Sequence, residues 1–279
     1  MKKKAQATVF IGGGNMATAL IGGRIAAGAS TNDFRVVEPA PSQRDALAAR
    51  FAGIQVFAET TAEAVADANV VVLAVKPQQM AVAAKALAPH VREVGVVLTI
   101  AAGIRTADLS RWLGGYRRIV RAMPNTPALI GAGISGVYAA SDVDAAAREA
   151  TVTILRAAGE IIWFEDENAL DGVTGVSGSG PAYVFYFLES LEDAARELGF
   201  SPTDARKLAY ATFSGAMALA QKSDAPPASL RAQVTSKRGT TERALATLDA
   251  RHVKASIMAA VKDAAERARE LGDEFGKDP

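Results

Sequence analysis

Short runs of β-branched residues alternate with alanine-rich segments along the first half of the chain. The runs at residues 8–11, 34–37, 70–75, 96–100 and 118–121 predict β-strands. The segments between these runs are typical of helices, and strands that alternate with helices build a parallel sheet covered by helices. The run at 70–75 is apolar throughout, as expected of a central strand that is buried on both faces.

The strand pattern fades after about Phe164, and long helical patterns rich in small residues replace it. We therefore predict two domains. An α/β domain with a parallel-dominated sheet is expected over residues 1–164, and an all-α domain over residues 165–279.

Two helices of the second half have clear boundary signals. Apolar residues follow helical spacing from Val184 and Gly199 is a suitable stop, while Ser201 can cap the next helix. Small residues line one face of that next helix and allow another helix to approach closely. This face fits a dimer contact, and a self-contained helical bundle is the alternative.

A glycine-rich motif follows the first predicted strand directly. Gly12, Gly14 and Ala17 match the Gly-x-Gly-x-x-Ala form of the dinucleotide-binding fingerprint. The first glycine permits a tight turn, the second lets the backbone approach a pyrophosphate, and the helix N-terminus faces the phosphates. The order of strand, turn, helix and second strand indicates a Rossmann domain that binds NADPH or NADH. A glycine-rich turn with only a structural role is the alternative.

The end of the second predicted strand bears on the choice of cofactor. Glu38 stands where a Rossmann domain commonly places an acid that bonds the adenosine ribose, which favours NAD. Ser42, Gln43 and Arg44 follow closely, and they can bind the 2′-phosphate of NADP if the loop turns back. The preference stays open, as does the interpretation of Glu38 and Arg44 as solvated surface charges.

Composition excludes several classes of function. The chain has 31 Lys+Arg and 30 Asp+Glu, so no global field attracts nucleic acid or an anionic membrane. It has no cysteine, and its two histidines, His90 and His252, lie in ordinary amphipathic surroundings, so we predict no metal site. The apolar run after the lysines at 2–4 is broken at Gly12 and no stretch is long enough to span a membrane, so a cytoplasmic protein is expected.

Five blocks of sequence resemble pyrroline-5-carboxylate reductases and occur in that family's order. They are FIGGGNMA at 10–17, LAVKP at 73–77, RAMPNTP at 121–127, GVSGSGPAY at 175–183, and VTS with GTT at 234–236 and 239–241. The resemblance implies an N-terminal Rossmann domain and an all-helical C-terminal domain through which the protein forms a homodimer, with larger rings of dimers in some members. It also implies hydride transfer from NADPH or NADH to 1-pyrroline-5-carboxylate, which yields L-proline.

The resemblance assigns individual site residues. The implied cofactor contacts, beside Glu38 and Arg44, are Gly12, Gly13, Gly14, Asn15, Met16, Ala74, Lys76, Pro77 and Ala102. The implied substrate contacts are Val234, Ser236, Gly239, Thr240 and Thr241. Thr241 is the candidate catalytic residue, because it can hydrogen-bond the ring nitrogen.

The sequence departs from the family in the substrate segment. Where the family usually has Ser-Pro-Gly-Gly, this chain has Ser236-Lys237-Arg238-Gly239. If the replaced glycine needs a positive φ, Arg238 carries a conformational penalty. The two added positive charges are alternatively an attraction for an anionic substrate.

Three other functions fit parts of the pattern. A β-hydroxyacid dehydrogenase also joins a Rossmann domain to a helical one, but it relies on a lysine in the helical half, and none here has a suitable setting. A reductase of a related cyclic imine shares the chemistry. A cofactor-sensing protein without turnover shares only the cofactor site.

Overall fold

The computed structural model describes residues 7–277, so the lysines at 2–4 lie outside the described residues. Eight strands form one sheet in the order β3-β2-β1-β4-β5-β6-β7-β8. The strands are β1 (Ala7–Ile11), β2 (Phe34–Val37), β3 (Gln55–Phe57), β4 (Ala68–Leu73), β5 (Val96–Thr99), β6 (Ile119–Met123), β7 (Gly133–Ala139) and β8 (Gly159–Trp163). Strands β1 to β6 run parallel, and the antiparallel pairing of β6 with β7 reverses the direction of the last two. The predicted parallel-dominated sheet is confirmed.

All five predicted strands are present, with ends that differ by no more than two residues from the prediction. The strand predicted at 70–75 runs instead from Ala68 to Leu73. The residues after Leu73 lead into a turn that starts at Pro77, with Lys76 as its N-cap residue. Strands β3, β7 and β8 were not predicted, since β3 is short and both β7 and β8 contain glycine.

The described residues form twelve α-helices. They are α1 (Asn15–Ala26), α2 (Pro41–Arg50), α3 (Ala62–Val65), α4 (Met80–Leu87), α5 (Thr106–Trp112), α6 (Ala145–Leu155), α7 (Ala169–Val173), α8 (Gly180–Glu197), α9 (Pro202–Gln221), α10 (Pro227–Gln233), α11 (Thr240–Ala250) and α12 (Val253–Phe275). A π-helical turn, Thr174–Gly178, joins α7 to α8. None of the helices in the described part of the chain is long and apolar enough to cross a membrane.

The predicted boundary signals in the helical half are confirmed. Gly199 follows α8 in the left-handed conformation, at φ +93°. The side chain of Ser201 accepts a hydrogen bond of 3.1 Å from the backbone N–H of Asp204 and so caps α9.

The sheet is buried on both faces by two apolar clusters. Along β1, Phe10 belongs to one cluster while Val9 and Ile11 belong to the other, because successive side chains of a strand point to opposite faces. Leu20 of α1 packs in the first cluster and Met80 of α4 in the second. The strand ends that carry the fingerprint are therefore held by a core on each side.

The chain folds into two compact units. Of the described residues, the first unit comprises 7–179 and 263–277 and contains the whole sheet, and the second unit is Gly180–Lys262. The first unit is thus not one continuous piece of chain, because the C-terminal part of α12 packs with it. Within the first unit, for example, Arg105 forms an ion pair of 2.7 Å with Asp273 of α12.

The second unit exposes much of its apolar surface. Phe185, Tyr186 and Met217 are 64%, 69% and 57% exposed. Few of its side chains are buried, the small Ala205 and Ala209 among them. The unit therefore does not bury its apolar faces within one chain.

Candidate active site

Gly12 occupies a position that only glycine fits. Its φ is +96°, and a Cβ there would lie 2.9 Å from the carbonyl carbon and oxygen of Ala74. The backbone N–H of Gly12 donates to the carbonyl of Val37 at 2.8 Å, and that of Ala74 donates to the carbonyl of Ile11 at 2.8 Å. The fingerprint turn therefore lies directly against the carboxyl ends of β1, β2 and β4.

This place in the sheet is a topological switch point. From β1 the chain proceeds to β2 and β3 on one side, and β4 begins the other side. Ligands of open parallel sheets bind in the crevice at such a point, at the carboxyl ends of the strands.

The N-terminus of α1 is open to an anion. Gly14 is its N-cap residue, Gly14 and Asn15 are exposed, and no side chain among the described residues caps this helix. A Cβ on Gly14 would meet no atom within 4 Å, so the space beside the turn is free. Helix N–H groups without partners and a glycine that admits close approach fit the pyrophosphate of a dinucleotide. Met16 is partly buried and packs at the edge of the core.

The carboxylate of Glu38 is bonded to the fingerprint turn. Its Oε2 accepts a hydrogen bond of 2.9 Å from the backbone N–H of Gly13, and its Oε1 accepts one of 3.0 Å from the N–H of Ala40. A negative charge is therefore fixed at the end of β2, beside the glycines. This is where the sequence predicts the ribose-binding acid.

The loop after β2 turns back toward the fingerprint. The side-chain amide of Gln43 donates to the carbonyl of Gly13 at 2.6 Å. The guanidinium of Arg44 donates to the carbonyls of Glu38 and Pro39 at 2.9 and 2.7 Å. Part of the hydrogen-bonding capacity of both side chains is thus used to hold this loop, and their contact with a 2′-phosphate stays a prediction.

The remaining predicted cofactor residues follow the neighbouring strands. Ala74, the exposed Lys76 and Pro77 come directly after β4, and Ala102 lies in the loop after β5. The N–H of Ile100 donates to the carbonyl of Leu73 at 3.3 Å, which joins the ends of β4 and β5. The structure therefore brings all the predicted cofactor residues of the first unit to the carboxyl edge of adjacent strands.

A buried charge network that the sequence did not reveal lies behind the loop after β5. Arg121 is 4% exposed and pairs with Glu167 at 3.3 Å and with Asp171 at 3.2 Å. Glu167 also accepts hydrogen bonds from the backbone N–H and the hydroxyl of Thr106, both at 2.7 Å. The signal in the sequence was an arginine within a strand of otherwise apolar residues, since a buried guanidinium requires carboxylate partners.

The predicted substrate residues lie together in the second unit, between α10 and α11. Gly239 is the N-cap residue of α11, and Thr240 and Thr241 form its first turn. The N–H of Gly239 donates to the carbonyl of Ser236 at 3.0 Å, which closes a turn after the exposed Val234. A helix N-terminus preceded by a tight turn can hold a carboxylate, and the partly buried Thr241 supplies a hydroxyl beside it.

Arg238 adopts the conformation that the missing glycine would favour. Its φ is +60°, in the left-handed region, so the predicted penalty applies and amounts to about 1–2 kcal/mol. Its backbone N–H donates to the carboxylate of Glu242 at 2.7 Å. That carboxylate fixes the turn to α11.

No group of three or more His, Cys, Asp or Glu side chains that could hold a metal ion occurs within residues 7–277. The groups that the described residues offer at the two sites are backbone amides, hydroxyls and a few charged side chains. They suit binding and orientation of small molecules.

Comparison with known proteins connects both units to one family. Residues 167–271 match the family described as pyrroline-5-carboxylate reductase dimerisation, and residues 8–103 match the one described as NADP oxidoreductase, coenzyme F420-dependent. The pyrroline-5-carboxylate reductase of Pseudomonas aeruginosa is 46% identical over 268 residues, which cover 96% of this chain and 97% of that protein. The enzyme of the same name from Haemophilus influenzae is 37% identical, over 94% of this chain and 96% of that protein.

Solved structures agree. A pyrroline-5-carboxylate reductase from Coxiella burnetii has a TM-score of 0.88 at 35% identity, covering 96% of this chain and 99% of that one. The pyrroline carboxylate reductase of Plasmodium falciparum, solved with NADP bound, has a TM-score of 0.84 at 27% identity, covering 95% and 98%. With the fold, the fingerprint and the full-length matches in agreement, this chain belongs to the pyrroline-5-carboxylate reductase family.

Proposed function

We propose that this protein reduces 1-pyrroline-5-carboxylate to L-proline with NADPH or NADH, the last step of proline biosynthesis. The observation that carries the proposal is that one unit offers groups suited to the cofactor and the other offers groups suited to the substrate. The first unit has an open helix N-terminus at the switch point of a Rossmann sheet, and the second has the turn at Ser236–Gly239 and the hydroxyl of Thr241. Family membership over nearly the whole chain supports the same reaction.

The fingerprint residues and the neighbouring strand ends would hold the cofactor. They are Gly12, Gly13, Gly14, Asn15, Met16, Ala74, Lys76, Pro77 and Ala102, with Glu38 and Arg44 at the adenosine end. When bound, the reduced nicotinamide supplies the hydride that C5 of the imine accepts. The uncapped N-terminus of α1 would hold the pyrophosphate, and Ala102 in the loop after β5 would contribute a further contact to the cofactor.

The segment from Val234 to Thr241 would hold the substrate. Backbone N–H groups of Gly239, Thr240 and Thr241 at the start of α11 are suited to the carboxylate of the imine. The hydroxyl of Thr241 hydrogen-bonds the ring nitrogen, directly or through water, as that nitrogen gains its proton. An iminium is already electrophilic, so orientation and exclusion of water supply most of the acceleration, and no covalent nucleophile is needed.

We also propose that residues 165–279 form the interface of a homodimer. Large apolar side chains of the second unit are exposed in the single chain, and residues 167–271 match a family described as a dimerisation domain. A second copy of the same chain would cover those apolar faces, which would explain why they are exposed in a single chain. Sedimentation at several protein concentrations tests this proposal. A mass near the 29.0 kDa of one chain would contradict a dimer. A mass greater than that of one dimer would give the number of dimers in a ring.

The reaction is tested by following the absorbance of the reduced nicotinamide with racemic pyrroline-5-carboxylate, in parallel with NADH and NADPH. We expect oxidation of the cofactor with formation of proline, and the two rates rank the cofactors. No oxidation with either cofactor, by a folded protein, would overturn the proposal. Oxidation with a different cyclic imine would then indicate a related reductase, and tight binding of the cofactor without any turnover would indicate a sensor.

A further inference from the structure

We infer that Glu167 is a positioning residue for the nicotinamide cofactor, which acts by holding the loop after β5 through Thr106. This inference rests on the proposed function, because it takes the cofactor to lie against Ala102 in that loop. Glu167 itself need not touch the cofactor. Its carboxylate is bonded instead to the residue at which the loop becomes helix α5.

The attachment of Glu167 to Thr106 uses both carboxylate oxygens. Oε1 accepts the backbone N–H of Thr106 and Oε2 accepts its hydroxyl, each at 2.7 Å. Two short bonds to one residue fix both the position and the direction of the chain there. Thr106 is the first residue of α5, so these bonds define where the loop from residue 100 to 105 ends.

Arg121 in turn fixes Glu167. The arginine is buried at 4% exposure, and its Cα is paired with that of Thr99 in the neighbouring strand β5. Its guanidinium contacts Oε1 of Glu167 at 3.3 Å. Because Arg121 is held by the sheet, the carboxylate it orients is held relative to the same strand ends that would carry the cofactor.

The rest of the loop has little freedom. Gly103 has φ +69°, and a Cβ added to it would lie 3.1 Å from Cβ of Leu271 in α12. Arg105 pairs with Asp273 of the same helix at 2.7 Å. The loop is thus held at Gly103 and Arg105 by contacts with α12 and at Thr106 by Glu167. The partly exposed Ala102 directly precedes these held residues. Loss of the Glu167 bonds would release that end and shift Ala102.

Asp171 provides a matched control. Its carboxylate contacts the same guanidinium, at 3.2 Å, and is similarly buried, at 15% exposure against 20% for Glu167. Within the described part of the chain, however, its side chain pairs with Arg121 and not with the loop. Removal of either carboxylate weakens the buried ion network, but only removal of Glu167 frees Thr106.

The test compares Glu167→Ala, Glu167→Gln and Asp171→Ala with the unaltered protein. The dissociation constant of NADPH is measured by fluorescence, KM and kcat by turnover, and folding by thermal unfolding. We expect both alanine variants to unfold at similarly lowered temperatures. Only Glu167→Ala should raise the dissociation constant and KM for NADPH, by about tenfold, because small displacements of positioning groups are costly. Glu167→Gln retains an acceptor for the N–H of Thr106 and should recover most of that loss.

Equal cofactor affinities in Glu167→Ala and Asp171→Ala would overturn the inference and leave a purely structural network. If Glu167→Ala does not fold, Thr106→Val, which replaces only the hydroxyl by a methyl group of similar size, carries the test, and unchanged NADPH affinity in that variant overturns the inference. If the unaltered protein binds NADPH but reduces no pyrroline-5-carboxylate, the proposed function fails while the affinity comparison still decides this inference. If it binds NADH in place of NADPH, the same affinity comparison is made with NADH, and if it binds neither cofactor, both fail.

Discussion

The backbone N–H of Arg238 donates a hydrogen bond of 2.7 Å to the carboxylate of Glu242, and Arg238 itself has a φ of +60°. A residue in the first turn of α11 thus holds a strained residue of the turn that precedes it. The strain has a specific origin, because the resemblance to the family implies a glycine at this position, where this chain has Arg238. The carboxylate bond helps to offset it, at the place where we propose that the substrate is bound.

Replacement of Arg238 by glycine should stabilise the protein. Glycine adopts a positive φ without steric cost, although it loses more entropy on folding, so we expect a net gain of about 0.5–1 kcal/mol. The free energy of unfolding in urea measures this gain. Arg238→Ala is the control, since it removes the same charge but keeps the Cβ, and equal stabilities of the two variants would show that the backbone is not strained.

Replacement of Gly12 by alanine should destabilise the first unit and weaken cofactor binding. The new Cβ would lie 2.9 Å from the carbonyl of Ala74, and the alanine would have to adopt a φ of +96°, for a combined cost of about 2–4 kcal/mol. Thermal unfolding without cofactor measures the structural part. Gly14→Ala is the matched control for stability, because a Cβ there meets nothing within 4 Å, and an equal loss in both variants would contradict the geometry.

Replacement of Thr241 by alanine should slow turnover. If its hydroxyl assists the ring nitrogen, kcat falls by about a hundredfold while the dissociation constant of NADPH is unchanged. Thr241→Ser keeps the hydroxyl and should restore most of the rate. Unchanged steady-state kinetics in the alanine variant would remove this role from Thr241.

The phenol of Tyr116 should ionise at a higher pH than an ordinary tyrosine, and its ionisation should lower the stability of the protein at high pH. Burial raises the pKa of its phenol from 10.0 to about 12, partly opposed by the charge of Arg118, and its hydroxyl donates to the carbonyl of Val94 at 2.9 Å. The fold therefore favours the neutral phenol. The stability that this preference contributes is complete below pH 10, and it is lost as the pH rises from about 10 to about 12.

Ultraviolet absorbance of the tyrosinate, followed against pH, tests this expectation. Tyr116→Phe should remove an absorbance step near pH 12, and its stability should fall less than that of the unaltered protein between about pH 10 and pH 12. Loss of an absorbance step near pH 10, and not near pH 12, would show that Tyr116 ionises with an ordinary pKa.

Sequence patterns predicted those parts of the fold that depend on neighbouring residues. Strands made of continuous β-branched runs, such as β4, were found because a buried strand needs an apolar residue at every position. Strand β7 was missed because its sequence, GISGVYA, includes two glycines and a serine. Its pairing with β6 depends on contacts between residues distant in sequence, for which a local pattern gives no signal.

The same limit applies to the candidate site. The fingerprint was predicted because the positions of its glycines follow from one local turn, and Arg238 was singled out because a missing glycine can be seen in the sequence. The pairing of Arg121 with Glu167 was not predicted, because the two residues are 46 positions apart and their separation follows no period. Only the folded sheet brings the carboxylate to the arginine and to Thr106.

The position of Glu38 restricts how the coenzyme preference of this protein can change. In Rossmann domains an acid after the second strand bonds the ribose of NAD, and its negative charge would repel the 2′-phosphate of NADP. Here the same carboxylate accepts a hydrogen bond from the N–H of Gly13. A substitution that removes the carboxylate therefore also removes a bond that holds the glycine-rich turn, where we propose that the pyrophosphate binds. Glutamine removes the negative charge but keeps an oxygen that can accept the N–H of Gly13, whereas alanine removes both. If Glu38 contacts the ribose as proposed, the choice of coenzyme and the shape of the glycine-rich turn both depend on this one side chain.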